Sequence, residues 1–271
     1  MKRLFVGILF AAILTTLRQS LKAGPAPLGI MVPAYFYPTS GGYWNSLDFA
    51  AARVPLIAIM NPNNGPGIRQ DTNYVRVLAN LHQAGGKVTG YVHTDWGARS
   101  LREVKADIDL YLSFYVVDGF FIDEMSSDKN TTNLNYYATI YQYIKSRNPN
   151  YSVTGNPGAE TQEDYLAKPT ADSVMIFEND GTNYQAFIPS SWVARYPARE
   201  FVHLPYHVAD FTTMSNLVGL AMSRNAGWIY ITDATLPNPY DRLPAYWTNE
   251  VNWVREFDAG LVPVRGADIS R

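Results

Sequence analysis

Val117-Asp118-Gly119-Phe120-Phe121-Ile122-Asp123-Glu124-Met125 is a short apolar run that stops on two adjacent carboxylates. Phe120, Phe121 and Ile122 have the aromatic and β-branched character of a buried strand, and the run is too short for a helix. A strand of a parallel sheet is covered on both faces, so it reads as continuously apolar rather than alternating. Two carboxylates at its carboxyl end are costly to bury unless they are solvated, paired or used. A strand end that emerges into water carries Asp and Glu without consequence, so recurrence of the pattern decides between the readings.

It does recur. Upstream, Leu28–Phe36, Leu56–Met60 and Lys87–Val92 read as strands, the last two stopping at Asn61 and His93. Downstream, Tyr151–Gly155, Asp172–Phe177, Phe201–Tyr206 and Gly227–Thr232 stop at Asn156, Glu178, His207 and Asp233. Helical patterns fall between them at Trp44–Arg53, Asn73–Ala84, Leu101–Phe114, Asn133–Ser146, Asp164–Ala167, Thr212–Asn225 and Tyr246–Phe257. Val75, Leu78, Leu81 and His82 mark the inner face of the second helix, Val104, Ile108 and Leu112 that of the third, and Tyr137, Ile140, Tyr141 and Ile144 that of the fourth. Eight strands alternating with helices predict a single (β/α)8 TIM-type barrel over residues 28–260. No glycine-rich phosphate turn follows the first strand and no P-loop pattern appears, which weighs against a doubly wound nucleotide-binding sheet.

The chain has 271 residues, a size that such a barrel fills as one domain. A formal net charge of −2, with scattered basic residues, gives no reason to expect a nucleic-acid partner. Cysteine is absent, which removes disulfides, thiolate catalysis and cysteine metal sites. Nineteen tyrosines and six tryptophans suit a core or a carbohydrate surface equally. Lys2-Arg3 precede an apolar run from Leu4 to Leu14, which predicts an export signal or membrane anchor over 1–23, followed by a linker at 24–27. A C-terminal tail covers 261–271. The expectation is a secreted, monomeric protein, attached to a membrane only if that first segment is kept. Asn130-Thr131-Thr132 and Asn150-Tyr151-Ser152 are glycosylation sequons if the host secretory pathway is eukaryotic.

In this barrel the active site lies at the carboxyl ends of the strands. Those ends carry Tyr35, Asn61, His93, Asp95, Trp96, Asp123, Glu124, Asn156, Glu178, Tyr206, His207 and Asp233, whereas the amino ends carry Gly, Pro, Val or Lys. Glycoside hydrolysis needs two carboxyl groups, one an acid and the other a nucleophile or a base toward water. Asp123, Glu124 and Glu178 supply three candidates. Adjacent strand residues point to opposite faces, so Asp123 and Glu124 share the axis only if one lies past the strand end. Glu178 ends a strand two away from Asp123, and strands lie ~4.8 Å apart. Leaning side chains then bring the carboxyl groups to about 5 to 7 Å, a range that straddles the retaining and inverting classes. Trp96, Trp44 and the rim tyrosines are candidates to stack on sugar rings. A competing metal site would draw on His93 and His207 with Asp95 or Asp233, but the spacing matches no zinc motif. His82 and His203 read as structural. No G-x-S-x-G elbow is present, and no cofactor is implied.

The segments GIMVPAYFYP, IAIMNPNNGPG, GKVTGYVHTDWG, VDGFFIDEM, TGNPG, VMIFEND and GWIYITD resemble the spherulin-4 family, which includes the glycoside hydrolase family 135 enzymes. The resemblance runs from Gly29 to Trp253. It implies a (β/α)8 barrel with catalytic acids at the positions of Asp123, Glu124 and Glu178. It also implies an endo-α-1,4-N-acetylgalactosaminidase that cuts galactosaminogalactan, an exopolysaccharide. Tyr35, Asn61, His93, Asp95, Trp96, Asn156, Tyr206, His207 and Asp233 are then the expected substrate contacts. A non-catalytic glycan-binding or spore-coat protein on the same barrel is the alternative, and it would have no need to retain all three acids.

Overall fold

The computed structural model describes residues 27–261. The expected signal or anchor at 1–23, most of the linker and all of the tail after residue 261 lie outside the described residues. Eight strands close a barrel in chain order, and every neighbouring pair is parallel. They are β1 (Gly29–Ala34), β2 (Leu56–Met60), β3 (Lys87–His93), β4 (Gly119–Asp123), β5 (Ser152–Gly155), β6 (Ser173–Asp180), β7 (Phe201–Tyr206) and β8 (Trp228–Ile229). The helices are α1 (Tyr43–Ala51), α2 (Thr72–Gln83), α3 (Leu101–Phe114), α4 (Thr131–Arg147), α5 (Asp164–Ala167), α6 (Gly181–Ala186), α7 (Phe211–Ser223) and α8 (Trp247–Asp258). Among them α6, at six residues, is too short for helical periodicity to mark.

The register sets which side chains face the axis. Tyr91 pairs with Phe121 and His93 with Asp123, so alternation puts Lys87, Thr89, Tyr91 and His93 on the same face as Gly119, Phe121 and Asp123. Gly119 is required for close approach: a Cβ there would lie 2.1 Å from the Ser152 carbonyl oxygen. Polar residues start the helices. Asp71, Ser100, Asn130, Asp180 and Asp210 each accept a backbone N–H as the caps of α2, α3, α4, α6 and α7. Part of the polar character of the barrel's upper rim is therefore capping. Asn130 and Asn150, the sequon asparagines, are both exposed.

Three expectations change. The buried face of α2 is Tyr74, Val77, Leu78 and Leu81, while Val75 faces water. In α3 it is Tyr111, not Leu112, that is fully buried; its hydroxyl donates to the Met60 carbonyl at 3.0 Å and so spends its polar atom inside the core. Trp44 is 1% exposed, with its indole N–H on the Phe36 carbonyl, so it is core and offers no stacking face. The structural histidines stand as read. His82 bonds Asp118 at 2.8 Å, and Asp118 also accepts from the Val88 backbone, tying α2 to the starts of β3 and β4. His203 is enclosed between β7 and α6 with Nδ1 on the Tyr184 hydroxyl, and burial pushes its pKa down to about 3.

β8 is shorter than the apolar run that encodes it. Gly29 donates toward β8, to the Gly227 carbonyl, and by alternation Pro33 occupies a position that would also donate there. Proline has no N–H. The Ile231 N–H goes instead to Oε1 of Glu250 on α8, at 2.8 Å. Glu250 is fully buried, Oε2 has no partner among the described residues, and burial pushes its pKa up to about 8. An acid whose folded pKa is raised contributes stability that is fully present below its unfolded pKa and lost as pH rises through the folded value. The protein is therefore expected to lose stability steadily from about pH 5, the loss levelling off once the pH passes about 8. In Glu250→Gln that segment of the urea-midpoint-versus-pH curve should flatten. An unchanged slope would place the titration elsewhere.

Candidate active site

Asp123 is the last residue of β4 and faces the barrel interior. Glu178 reaches the same space through an irregularity in β6. Ser173 and Met175 are inward by alternation, which would turn Phe177 in and Glu178 out. The β6–β7 register shifts between Met175 and Phe177, inserting one extra residue and inverting the alternation from there on. Phe177 accordingly packs outward on Tyr184 and Phe187 at 4.6 and 4.9 Å, and Glu178 turns inward. Asn156 follows β5 between them, and its backbone is fixed on both sides. Its N–H donates to the Ile122 carbonyl and its own carbonyl accepts from Met125, both at 2.8 Å.

The Asn156 amide connects the acids. Nδ2 donates to Oδ1 of Asp123 at 2.7 Å and to Oε2 of Glu178 at 2.8 Å, while Oδ1 accepts from the Gly158 backbone, which fixes the amide orientation. Two bonds that end on one nitrogen leave those carboxylate oxygens no more than about 5.5 Å apart. Burial pushes the pKa of both acids up. For Glu178 the charge on Asp123 adds to the rise, and for Asp123 hydrogen bonds from the Tyr91 hydroxyl, the Glu124 backbone and Asn156 work against it. Oε1 of Glu178 accepts from the Tyr240 hydroxyl at 2.7 Å. Tyr35 stands edge-on to Tyr91 and Tyr240, at 5.6 and 5.7 Å, and closes the floor between the two acids.

Glu124 lies one residue beyond β4 with φ of 51°, in the left-handed region, so it does not simply alternate away from Asp123. Oε2 accepts from the Asp95 N–H at 3.1 Å and lies 3.5 Å from His93 Nδ1. Asp95 and Trp96 are also left-handed, with φ of 47° and 48°. Thr94 braces this corner: its hydroxyl is 2.9 Å from the carbonyls of both Asp123 and Glu124, and the Trp96 N–H donates to the Glu124 carbonyl at 2.8 Å. Trp96 is left 61% exposed at the rim.

The sequence-derived set thus divides. Asp123, Glu178, Asn156 and Tyr35 form one centre, with Glu124, His93, Asp95 and Trp96 beside it. Tyr206 is half-buried near Glu178 and Asp180, and the exposed His207 bonds Asp180 at 2.7 Å. Asn61 and Asp233 do not join. Asn61 closes a turn on the Gly65 N–H, and Asp233 pairs with Arg242 at 2.6 Å. His93 and His207 bind different carboxylates, and among the described residues no three metal-ligating side chains converge. Tyr91 and Tyr240 were missed. Tyr91 could have been found two residues before His93 on the same strand face, while Tyr240 lies in a loop without a pattern. A cavity of about 590 Å³ opens at the opposite, amino-terminal mouth, lined in part by Lys87, Ser152, Thr154 and Trp228, and the acid pair lies at the other end.

Comparison with known proteins gives the family and the fold. The profile of the spherulation-specific family 4 matches residues 29–254. Spherulin-4 of Physarum polycephalum is 35% identical over 240 residues, which cover 84% of this chain and 70% of the relative. The crystal structure of Aspergillus clavatus Sph3 in complex with GalNAc matches at 26% identity with a TM-score of 0.74, covering 86% of this chain and 98% of that one. The endo-1,4-β-mannanase of Rhizomucor miehei, at 10% identity and a TM-score of 0.55 over 87% of this chain and 95% of its own, shares the fold alone. With that profile running from the first strand into the last helix, the chain belongs to the spherulation-specific family 4.

Proposed function

We propose that this protein is a secreted, endo-acting glycoside hydrolase that cleaves an α-1,4-linked N-acetylgalactosamine polymer with retention of configuration. The observation that carries the reading is the Asn156 bridge, which holds the facing oxygens of two half-buried acids within about 5.5 Å at the barrel's carboxyl rim. That separation suits direct attack by a carboxylate; inverting enzymes keep their acids ~6.5–9.5 Å apart to admit a water. The GalNAc bound by the Aspergillus relative supports an amino sugar as substrate. The basic and apolar start of the chain supports export.

The roles follow from the hydrogen bonds. Asp123 accepts from three donors that favour its ionised form, so it is the nucleophile. Burial and the Asp123 charge raise Glu178 against two donors, while burial and the Glu124 charge raise Asp123 against three, so the proton and the acid role are assigned to Glu178. Glu178 protonates the glycosidic oxygen as the bond to the anomeric carbon breaks, and Asp123 forms the glycosyl ester. Glu178 then takes a proton from water, whose oxygen displaces Asp123. Glu124, held by the Asp95 N–H beside His93, contributes negative charge next to the developing oxocarbenium ion. Trp96 offers an exposed ring to a neighbouring sugar.

Release of reducing ends from α-1,4-linked N-acetylgalactosamine oligomers tests the activity. Asp123→Asn and Glu178→Gln should each lower kcat by ~10² or more. Both should fold; Asp123→Asn should be more stable by about 0.5 to 2 kcal/mol because it removes a crowded, partly buried carboxylate, and Glu178→Gln, which replaces an acid already protonated, should stay close to the wild type. Binding of oligomers without any release of reducing ends by the wild type would make this a glycan-binding protein instead.

Anomeric NMR of the first product tests the stereochemistry separately. The α-anomer is expected. The β-anomer would turn Asp123 from nucleophile into general base and leave the hydrolase reading standing.

A further inference from the structure

We infer that Tyr240 is a positioning residue that decides which oxygen of Glu178 carries the catalytic proton, and that the β8–α8 loop exists in part to hold it there. The inference rests on the hydrolase reading for its kinetic consequences, but not for its geometry. Tyr240 is 6% exposed although it lies in a loop. Its hydroxyl is 2.7 Å from Glu178 Oε1, and its ring packs edge-on to Tyr35 and at 6.3 Å, tilted, against Tyr230.

The loop is built to keep that ring in place. Asp233, at its start, accepts from Arg242 at 2.6 Å and from the Ala245 N–H at 3.3 Å. Within the loop the Tyr240 N–H donates to the Asn238 side chain at 3.1 Å. At its far end the Tyr246 hydroxyl donates to the Val208 carbonyl at 2.8 Å. A rim carboxylate that could have faced substrate is thus spent on closing a loop around Tyr240.

Each oxygen of Glu178 already receives a donor, and the two donors are not equivalent. Asn156 Nδ2 can only donate, and it occupies one lone pair of Oε2. The Tyr240 hydroxyl donates to Oε1. The Tyr240 hydroxyl can accept as well as donate, so a proton on Oε1 is held toward Tyr240, and the proton free to reach a leaving oxygen is the one on the second lone pair of Oε2, which shares the Asn156 amide with Asp123. The leaving oxygen must lie between those two groups. Tyr240 also lowers the proton affinity of Glu178, which opposes the rise caused by burial and by Asp123.

Tyr240→Phe keeps the ring and its packing and removes only the hydroxyl. The expected result is a fall of ~10- to 100-fold in kcat, KM within about threefold, and an upward move of the basic limb of the kcat/KM profile. The sign is fixed because Glu178 loses a donor to its ionised form and holds its proton to higher pH. A weaker change in the same direction is expected for Asp233→Asn, which loosens the Arg242 clamp. Titration of Glu178 by carboxyl ¹³C NMR, in the wild type and in Tyr240→Phe, reads the same effect without catalysis. An unchanged Glu178 titration in folded Tyr240→Phe overturns the inference. A Glu178 pKa that rises in Tyr240→Phe while the wild type hydrolyses nothing overturns the hydrolase reading and keeps the Tyr240 inference.

Discussion

A single side-chain amide holds the centre of this molecule together. Two carboxylates half-buried at one end of a barrel repel each other, and each would be cheaper to solvate separately. Asn156 makes their proximity tolerable by giving one hydrogen to each. That role constrains the surrounding strands. β5 must stop one residue before Asn156, so that its backbone can bond β4 on one side and Met125 on the other. β4 must end on Asp123 facing inward. β6 must break its own alternation, because without the extra residue Glu178 would point into the helix layer where Phe177 now packs.

The corner after β3 and β4 carries the second constraint. Three residues there, Asp95, Trp96 and Glu124, adopt left-handed backbone conformations that cost ~1–3 kcal/mol each for non-glycine residues. They persist because the corner is over-determined: Thr94, the Trp96 N–H and the Asp95 N–H all bond to Asp123 or Glu124. The result is that two consecutive acids both remain at the rim. A regular strand could not have done this, since its alternation would have buried the second one among the helices.

The fold was legible because its signal is long-range and redundant. Eight apolar runs at regular spacing tolerate error in any one of them, which is why the overextended reading of β8 did no harm. Where boundaries moved, a local polar event moved them: Pro33 withholds a donor from β8, and Glu250 supplies an acceptor from a helix whose sequence gives no hint of it. In the site, residues that directly end strands were legible, as Asp123, Asn156 and Glu178 demonstrate. The inward aim of Glu178 was not, because a bulge leaves no mark on composition. Asn61 and Asp233 stand apart from the acid pair for a different reason. Strand-end position predicted exposure to the cleft, but turn closure at Gly65 and ion pairing with Arg242 had prior claim on them.

The tyrosines show what composition leaves open and packing decides. Their number suited a core and a sugar-binding surface equally, and Tyr111, Tyr137, Tyr165, Tyr184 and Tyr230 are fully enclosed. A buried tyrosine must satisfy its hydroxyl, and in this barrel the partner is a polar group on a strand or just beyond one. Tyr111 reaches the Met60 carbonyl, Tyr137 the Ser126 N–H and Thr94, Tyr184 the His203 ring, and Tyr240 the Glu178 carboxylate. Each ring fills the space between layers while its hydroxyl fixes a polar group that alternation alone would leave loose. Phenylalanine would pack equally well and fix nothing. The aromatic excess is therefore in large part a framework for polar placement, and through Tyr240 that framework reaches Glu178 in the candidate active site.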